Sequence, residues 1–177
     1  MPTALIIGAS RGIGQELVRQ YLADGWRVLA TARTVEHCNA LGAMQGGVRE
    51  HDWILVHDAA RPGLTAALIE KLITAIGDDS VGGLLALPVV DTVKRYGPGV
   101  ATIPREGLWL AQTPQMFRYS LLCDALAAAT DASVITDDAS AVEALGLSPK
   151  LIEGHPRNLK VTLPTDIRIA EMYLAAP

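Results

Sequence analysis

The sequence predicts a single three-layer α/β domain, residues 1–177, with a mainly parallel sheet between helices. Three observations lead to this prediction. Short apolar runs typical of buried strands alternate with amphipathic runs typical of helices. Polar residues follow several apolar runs directly, which is where open α/β sheets place their ligand sites. Residues 90–104 alternate polar and apolar side chains around a Gly-Pro-Gly turn, so a projecting β-hairpin arm is predicted there.

Each element follows from its own pattern. Residues 64–76 carry an apolar stripe at helical spacing, and the helix beginning near Thr136 is predicted with Thr136 as its N-cap. Residues 109–117 are expected only to return the chain to the body of the domain. The predicted strands are 4–7, 27–32, 53–57, 82–89, two arm strands within 91–103, 151–153 and 158–161. The predicted helices are 15–23, 34–47, 64–76, 119–129, one from 136, and 165–174.

Composition excludes several classes of protein. The chain has 177 residues, half of them hydrophobic, which is enough for one domain with a sizeable core. A net charge of −4 predicts no basic surface for nucleic acid, and no apolar run reaches the roughly 20 residues of a membrane span. The N-terminus enters a strand directly, so no signal peptide is expected. Cys38 and Cys123 lack metal-type spacing, and we expect a cytoplasmic protein.

A glycine-rich turn follows the first predicted strand, in the spacing Gly8-x-x-x-Gly12-x-Gly14. Such a turn presents backbone N–H groups at a helix N-terminus, ready for a phosphate. Residues 1–33 resemble the opening βαβ unit of the short-chain dehydrogenase/reductase family, which makes the domain Rossmann-like. The candidate cofactor-binding residues of this turn are Gly8, Arg11, Gly12 and Gly14. In the dehydrogenase family, Arg33 after the second strand would suit the phosphate of NADP, which is the cofactor only if the chain is a reductase. A tight turn without any cofactor is the alternative.

Asp58 is the first candidate for a working residue. It follows the apolar run 53–56 after His57, at the carboxyl end of a strand predicted to be buried on both faces. Asp58 could instead only cap the turn before Pro62. His57 is interpreted as a packing or hydrogen-bonding residue rather than a base.

Six motifs occur in order from Asp58 to the end of the chain. They are His57-Asp58-Ala59-Ala60-Arg61-Pro62, Asp91-Thr92-Val93-Lys94-Arg95, Arg105-Glu106-Gly107-Leu108-Trp109, Gln112-Thr113-Pro114-Gln115, Thr136-Asp137-Asp138-Ala139-Ser140-Ala141 and Asn158-Leu159-Lys160-Val161-Thr162. The series resembles the 2-C-methyl-D-erythritol 4-phosphate cytidylyltransferase family, over about residues 34–177.

The resemblance implies transfer of CMP from CTP to 2-C-methyl-D-erythritol 4-phosphate, with Mg²⁺ and release of pyrophosphate. It implies catalytic roles for Asp58, which would also bind the metal, for Lys160 and for Arg19. It also implies a homodimer, in which the arm carries Thr92 into the partner's site. The implied substrate-binding residues are Thr92, Arg105, Thr113, Thr136 and Lys160. We expect the charged groups of Asp58, Arg105 and Lys160 to converge on one hollow.

The first 33 residues depart from that family. Its Pro-Ala-Ala-Gly-x-Gly-x-Arg loop, which wraps the triphosphate, is absent as such. Arg11 could imitate the loop arginine, and Arg19-Gln20-Tyr21-Leu22 echoes the family's Lys-Gln-Tyr-Leu. The simplest interpretation is a chimera joined near residue 33, with CTP-dependent activity in doubt. Alternatives are a non-catalytic phosphate-binding scaffold and an NADP-dependent reductase fragment, which the missing Tyr-x-x-x-Lys pair argues against.

Overall fold

The structure is a computed structural model that describes residues 3–6, 19–30, 50–129 and 135–175. We label eight strands and four helices in these ranges. The strands are β1 (Thr3–Ile6), β2 (Arg27–Ala30), β3 (Trp53–Val56), β4 (Gly82–Pro88), β5 (Val93–Tyr96), β6 (Val100–Ile103), β7 (Trp109–Arg118) and β8 (Lys150–Glu153). The helices are α1 (Ala66–Ile76), α2 (Tyr119–Ala128), α3 (Asp138–Ala144) and α4 (Pro164–Ala175).

The central sheet has the strand order β3-β7-β4-β8. Strand β7 runs antiparallel to both β3 and β4, whereas β4 and β8 are parallel. Strands β3, β4 and β8 therefore point the same way, as expected, but the sheet is mixed because β7 lies between two of them. This corrects the prediction of a mainly parallel sheet, in which residues 109–117 had no strand of their own.

Neighbouring strand residues point to opposite sides of this sheet, and apolar side chains on both faces pack against helices. Leu84 and Phe117 pack with Leu122 of α2 and Val142 of α3 on one face. On the other face, the buried side of α1 packs against the sheet; this second core contains Leu68, Leu72, Ile76, Leu85, Met116 and Ile152. The carboxyl end of β3 thus emerges between two packed layers.

The first two strands form a parallel pair, β1 with β2, as the βαβ prediction required. Residues 19–23 are helical, and the turn after them ends at Gly25, whose φ of 75° suits a residue without a Cβ. The predicted glycine-rich turn, the start of its helix and the helix 34–47 lie outside the described residues.

The arm is a two-stranded hairpin in which β5 and β6 pair with each other in antiparallel register, as predicted. Its side chains are largely exposed, and Tyr96 near the turn is 89% exposed. A two-stranded hairpin with so little cover is only marginally stable on its own.

Two further predictions are wrong. Residues 158–161 do not form a strand; a single 3₁₀ turn, Pro156–Asn158, precedes an irregular stretch there. Helix α3 is capped by Asp137 rather than by Thr136, because the Asp137 side chain accepts the Ser140 N–H. The helices predicted at 64–76, 119–129 and 165–174 are confirmed to within two residues at each end. Among the described residues, no helix is long and apolar enough to span a membrane.

Candidate active site

Asp58 stands two residues beyond the end of β3, where three elements meet. Its carboxylate Oδ2 lies 3.1 Å from Lys160 Nζ and 3.4 Å from Arg61 Nε. Its backbone N–H donates to Thr113 Oγ1 at 2.9 Å. The structure therefore brings together Asp58, Thr113 and Lys160, three of the residues predicted for the site.

Lys160 reaches Asp58 because its segment is tied to the loop after β3. The Val161 N–H donates to the Ala60 carbonyl at 2.8 Å. Gly63 lies against the Arg157 carbonyl so closely that a Cβ on Gly63 would overlap it. The close approach of these two stretches sets the position of the Lys160 ammonium.

Arg61 is a site residue that we did not single out in the sequence, although it lies in the first of the six motifs. Its Nη1 donates to the Asn158 carbonyl at 2.8 Å, and its Nη2 donates to the Ala111 carbonyl at 3.4 Å. Arg61 thus holds both Asp58 and the segment that leads to Lys160. The signal was available, because a cation three residues after a candidate carboxylate can pair with it across the turn.

The side chain of His57 contacts both Thr113 of β7 and the backbone of the Asp58 loop. Its Nδ1 lies 3.0 Å from Thr113 Oγ1, and its Nε2 lies 3.2 Å from the Arg61 carbonyl. Burial lowers the pKa of His57, so the neutral ring is favoured. The hydrogen-bonding interpretation of His57 is in line with these contacts.

A buried polar network supports this cluster from below. Asn158 is fully buried, and its Nδ2 donates to the Thr113 carbonyl at 2.7 Å and to Gln112 Oε1 at 3.4 Å. Gln112 Nε2 in turn donates to the carbonyls of His155 and Asn158. Sequence reasoning missed both amides, because buried Asn and Gln carry no signal that separates them from exposed ones.

Thr136 lies at the exposed start of the loop that leads into α3. Burial, together with the negative charges of Asp137 and Asp58, raises the pKa of Asp138. Gln115 of β7 donates to Asp137 Oδ2 at 2.7 Å, which joins this loop to the strand that carries Thr113. The Thr136 backbone N–H donates to Ser140 Oγ at 3.0 Å, so hydrogen bonds link Thr136 to this loop.

Arg105 and Thr92 lie elsewhere. Thr92 is exposed next to the arm strand β5, and the exposed Arg105 guanidinium donates to the Val90 carbonyl at the base of the arm. Of the three charged groups expected to converge, Asp58 and Lys160 are in contact, whereas the Arg105 guanidinium contacts the base of the arm. The homodimer, in which the arm carries Thr92 into the partner's site, stays a prediction.

The remaining predicted residues belong to the first part of the chain. Arg19 is exposed in the helical residues 19–23. Gly8, Arg11, Gly12 and Gly14 lie outside the described residues, so the predicted phosphate turn has no described geometry.

The donor set near Asp58 fits a magnesium ion that is held mainly by phosphate oxygens. Mg²⁺ commonly takes one or two carboxylates and completes its shell with water and substrate phosphates. Both cations contact Oδ2 of Asp58, which leaves Oδ1 for such a role. In the described part of the chain, no group of three or more His, Cys, Asp and Glu side chains could hold a metal by itself.

Solved structures identify the class of protein to which this arrangement belongs. One described as 4-diphosphocytidyl-2C-methyl-D-erythritol synthase superposes with a TM-score of 0.74 at 37% identity, covering 98% of each chain. The 2-C-methyl-D-erythritol 4-phosphate cytidylyltransferase from Thermus thermophilus superposes with a TM-score of 0.70 at 25% identity, covering 97% of this chain and 98% of the other. The fold is that of an α/β nucleotidyltransferase.

The family follows from the sequence. The model of the family "IspD: 2-C-methyl-D-erythritol 4-phosphate cytidylyltransferase" matches residues 27–176, and the chain belongs to that family. The enzyme of that name from Nitrosomonas eutropha is 49% identical over 170 residues, covering 88% of this chain and 72% of its own. The one from Bordetella pertussis is 58% identical over 137 residues, covering 76% of this chain and 60% of its own.

These comparisons lend no support to a separate dehydrogenase-like unit. The match to the first of the solved structures covers 98% of the chain, so it extends into the residues for which a foreign origin was predicted. The chain spans between 60% and 72% of the length of the first curated relatives, so it is shorter than they are.

Proposed function

We propose that this chain transfers CMP from CTP to 2-C-methyl-D-erythritol 4-phosphate and releases pyrophosphate. The observation that carries the proposal is the Asp58, Lys160 and Thr113 cluster at the carboxyl end of β3, in a chain of this family. On this proposal the domain is of the three-layer Rossmann-like type and works in the cytoplasm, without nucleic acid or membrane partners.

The reaction requires the protein to position the substrates and to stabilise negative charge, and it requires no covalent catalysis. A phosphate oxygen of the sugar attacks the α-phosphorus of CTP, a new P–O bond forms, and the bond to the pyrophosphate oxygen breaks. No general base is needed, because a phosphate monoester has a second pKa of about 6 and is largely dianionic above neutral pH.

Three side chains have distinct roles on this proposal. The Lys160 ammonium neutralises charge that develops on the transferring phosphoryl group, as a fixed cation does in such sites. Asp58 orients that ammonium by pairing with it. Its Oδ1 would help to hold Mg²⁺, which would supply positive charge to the phosphate oxygens. Thr113 holds the backbone of Asp58 through its hydroxyl, in reach of the sugar phosphate.

The sugar phosphate also needs groups from the arm. Thr92 and Arg105 lie on or beside the hairpin and away from Asp58, which supports an active homodimer whose arms reach into the partner's site. Thr136 completes the sugar-phosphate side from the loop before α3. The exposed apolar side chains of the arm, Tyr96 and Val100 among them, are suited to burial against another subunit.

The nucleotide side of the site falls to the first part of the chain. We propose that Gly8, Gly12 and Gly14 present backbone N–H groups to the triphosphate, with Arg11 and Arg19 as its cations. The chimera, in which residues 1–33 come from another family, stays a hypothesis, and this assignment does not depend on it.

The test is product analysis with the full chain. We expect ³¹P NMR to show pyrophosphate and a new diphosphate diester when CTP, 2-C-methyl-D-erythritol 4-phosphate and Mg²⁺ are all present, and neither product when one substrate is left out. Calorimetric binding of both substrates without turnover would instead indicate a phosphate-binding scaffold. Oxidation of NADPH would indicate a reductase, and either result would refute the proposal.

A further inference from the structure

Gln115 lies within β7 with its side chain 1% exposed, and both ends of its amide reach the start of α3. Its Nε2 donates to Asp137 Oδ2 at 2.7 Å, and its Oε1 accepts the Ala139 N–H at 2.7 Å. These partners fix the orientation of the amide, because a carboxylate only accepts and a backbone N–H only donates. Gln115 therefore clamps β7 to the first turn of α3.

The clamp reaches Thr136 through Asp137. The two carboxylate oxygens of Asp137 have different partners: Oδ1 accepts the Ser140 N–H at 2.9 Å, and Oδ2 accepts a hydrogen bond from Gln115 Nε2. Ser140 Oγ lies 3.0 Å from the Thr136 nitrogen and 3.1 Å from the Asp137 nitrogen, and it accepts both N–H groups. The backbone position of Thr136 thus depends on the side chain that Gln115 holds.

The same strand also sets the other side of the site. Thr113 of β7 accepts the Asp58 N–H, so β7 positions the Asp58 loop and the Thr136 loop at once. Every polar end of the Gln115 amide has a partner, which is the condition under which a buried network rigidifies its surroundings.

We propose that Gln115 is a positioning residue for the sugar phosphate, fixing Thr136 relative to the Asp58–Lys160 pair. The inference rests on the proposed function, because it takes Thr136 as a contact of the sugar phosphate. Gln115 is buried and hydrogen-bonded to Asp137, so it acts through that residue. Loosening this clamp raises the KM for the sugar phosphate, whereas the KM for CTP depends on other elements.

The pair allows a donor–acceptor swap. Gln115→Glu sets a second carboxylate against Asp137, and Asp137→Asn sets a second amide against Gln115. In the double variant, the new amide at position 137 donates to the new carboxylate at position 115, which still accepts the Ala139 N–H. The measurements are made at pH 8, because two paired carboxyls readily share a proton at lower pH.

We expect each single variant to raise the KM for the sugar phosphate about tenfold, in line with one hydrogen bond to a charged group. The KM for CTP stays within about twofold, and the double variant returns to within about threefold of the wild type, because the pair is coupled. Asp124→Asn, which removes an exposed carboxylate from α2, is the charge-matched control and keeps the wild-type constants.

Thermal melting in parallel separates positioning from folding. If Gln115→Glu does not fold, Asp137→Asn and the double variant carry the test. Equal losses for both substrates, in proportion to the folded fraction, would overturn the inference, and so would a double variant as weak as the single ones.

Turnover by the wild-type chain separates this inference from the proposed function. A wild type without pyrophosphate release overturns both. A wild type that turns over while both single variants keep its KM for the sugar phosphate overturns the role of Gln115 alone.

Discussion

Lys160 Nζ lies 3.1 Å from Asp58 Oδ2, although Asp58 follows β3 and Lys160 follows β8, far away in the sequence. Their side chains are 48% and 34% exposed, so the pair is open to solvent. An ion pair in this environment contributes little to folding. The pair lies at the carboxyl end of β3, where the proposed function assigns it to the binding of phosphate charge.

Replacing the lysine should leave the fold intact. We expect Lys160→Met to change the free energy of unfolding by less than about 1 kcal/mol, because exposed pairs contribute at most that much. Urea unfolding measures the change. A loss of several kcal/mol would show that the pair is structural and would contradict its assignment to the site.

Gly63 is expected to tolerate no side chain. Gly63→Ala would drive a methyl group into the Arg157 carbonyl and push the Asp58 loop away from the Lys160 segment. We expect a loss of about 1–3 kcal/mol in stability, as for other overpacked sites, together with a lower rate of CMP transfer. Gly97→Ala, in the open turn of the arm, is the control for stability, since its new methyl group meets nothing within 4 Å. Equal stability of both variants would contradict the close approach.

Asp79 gives a prediction in acid. The N–H groups of Gly82 and Val81, with Lys150, lower the pKa of Asp79 to about 2 from its ordinary value of 3.8. Because the folded-state pKa is lowered, its contribution is present above pH 4 and is lost as the pH falls toward 2. The stability difference between the wild type and Asp79→Asn should therefore shrink over that window. Urea unfolding from pH 5 to 2 measures it, and a constant difference would contradict the assignment.

The homodimer can be tested by complementation. Thr92→Ala damages the partner's site and Lys160→Met damages its own, so each variant alone should be inactive. Co-refolding equal amounts should restore about one quarter of the wild-type activity, because half of the dimers are mixed and each has one complete site. No recovery, or a monomer in sedimentation, would remove Thr92 from the site.

Much of the architecture could be predicted because periodicity reports burial directly. The apolar stripe of α1 and the runs that form β3 and β4 lie where the pattern indicated. Strand β7 escaped because Gln112, Thr113, Pro114 and Gln115 resemble a loop. The register with β4 shifts between Leu84 and Ala86, so this polar stretch lies at a bulge, where a strand tolerates proline.

Prediction of the site was limited by contacts that are remote in sequence. The motif series pointed to Asp58, Thr113 and Lys160, and the structure brings them together. The motif series did not show that Arg105 contacts the base of the arm, since that contact depends on the path of the hairpin. Nor did the series indicate the amides of Gln115 and Asn158, whose roles depend on burial and on hydrogen bonds to other elements.

The most direct test compares two lysines that make similar ion pairs. Lys150 lies 3.0 Å from Asp79, away from the site, just as Lys160 lies 3.1 Å from Asp58. We expect Lys160→Met to lower pyrophosphate release from CTP and 2-C-methyl-D-erythritol 4-phosphate by about a hundredfold or more, the scale of losing one charge-stabilising group. Lys150→Met should keep the wild-type rate. Equal rates for the two variants would contradict the account.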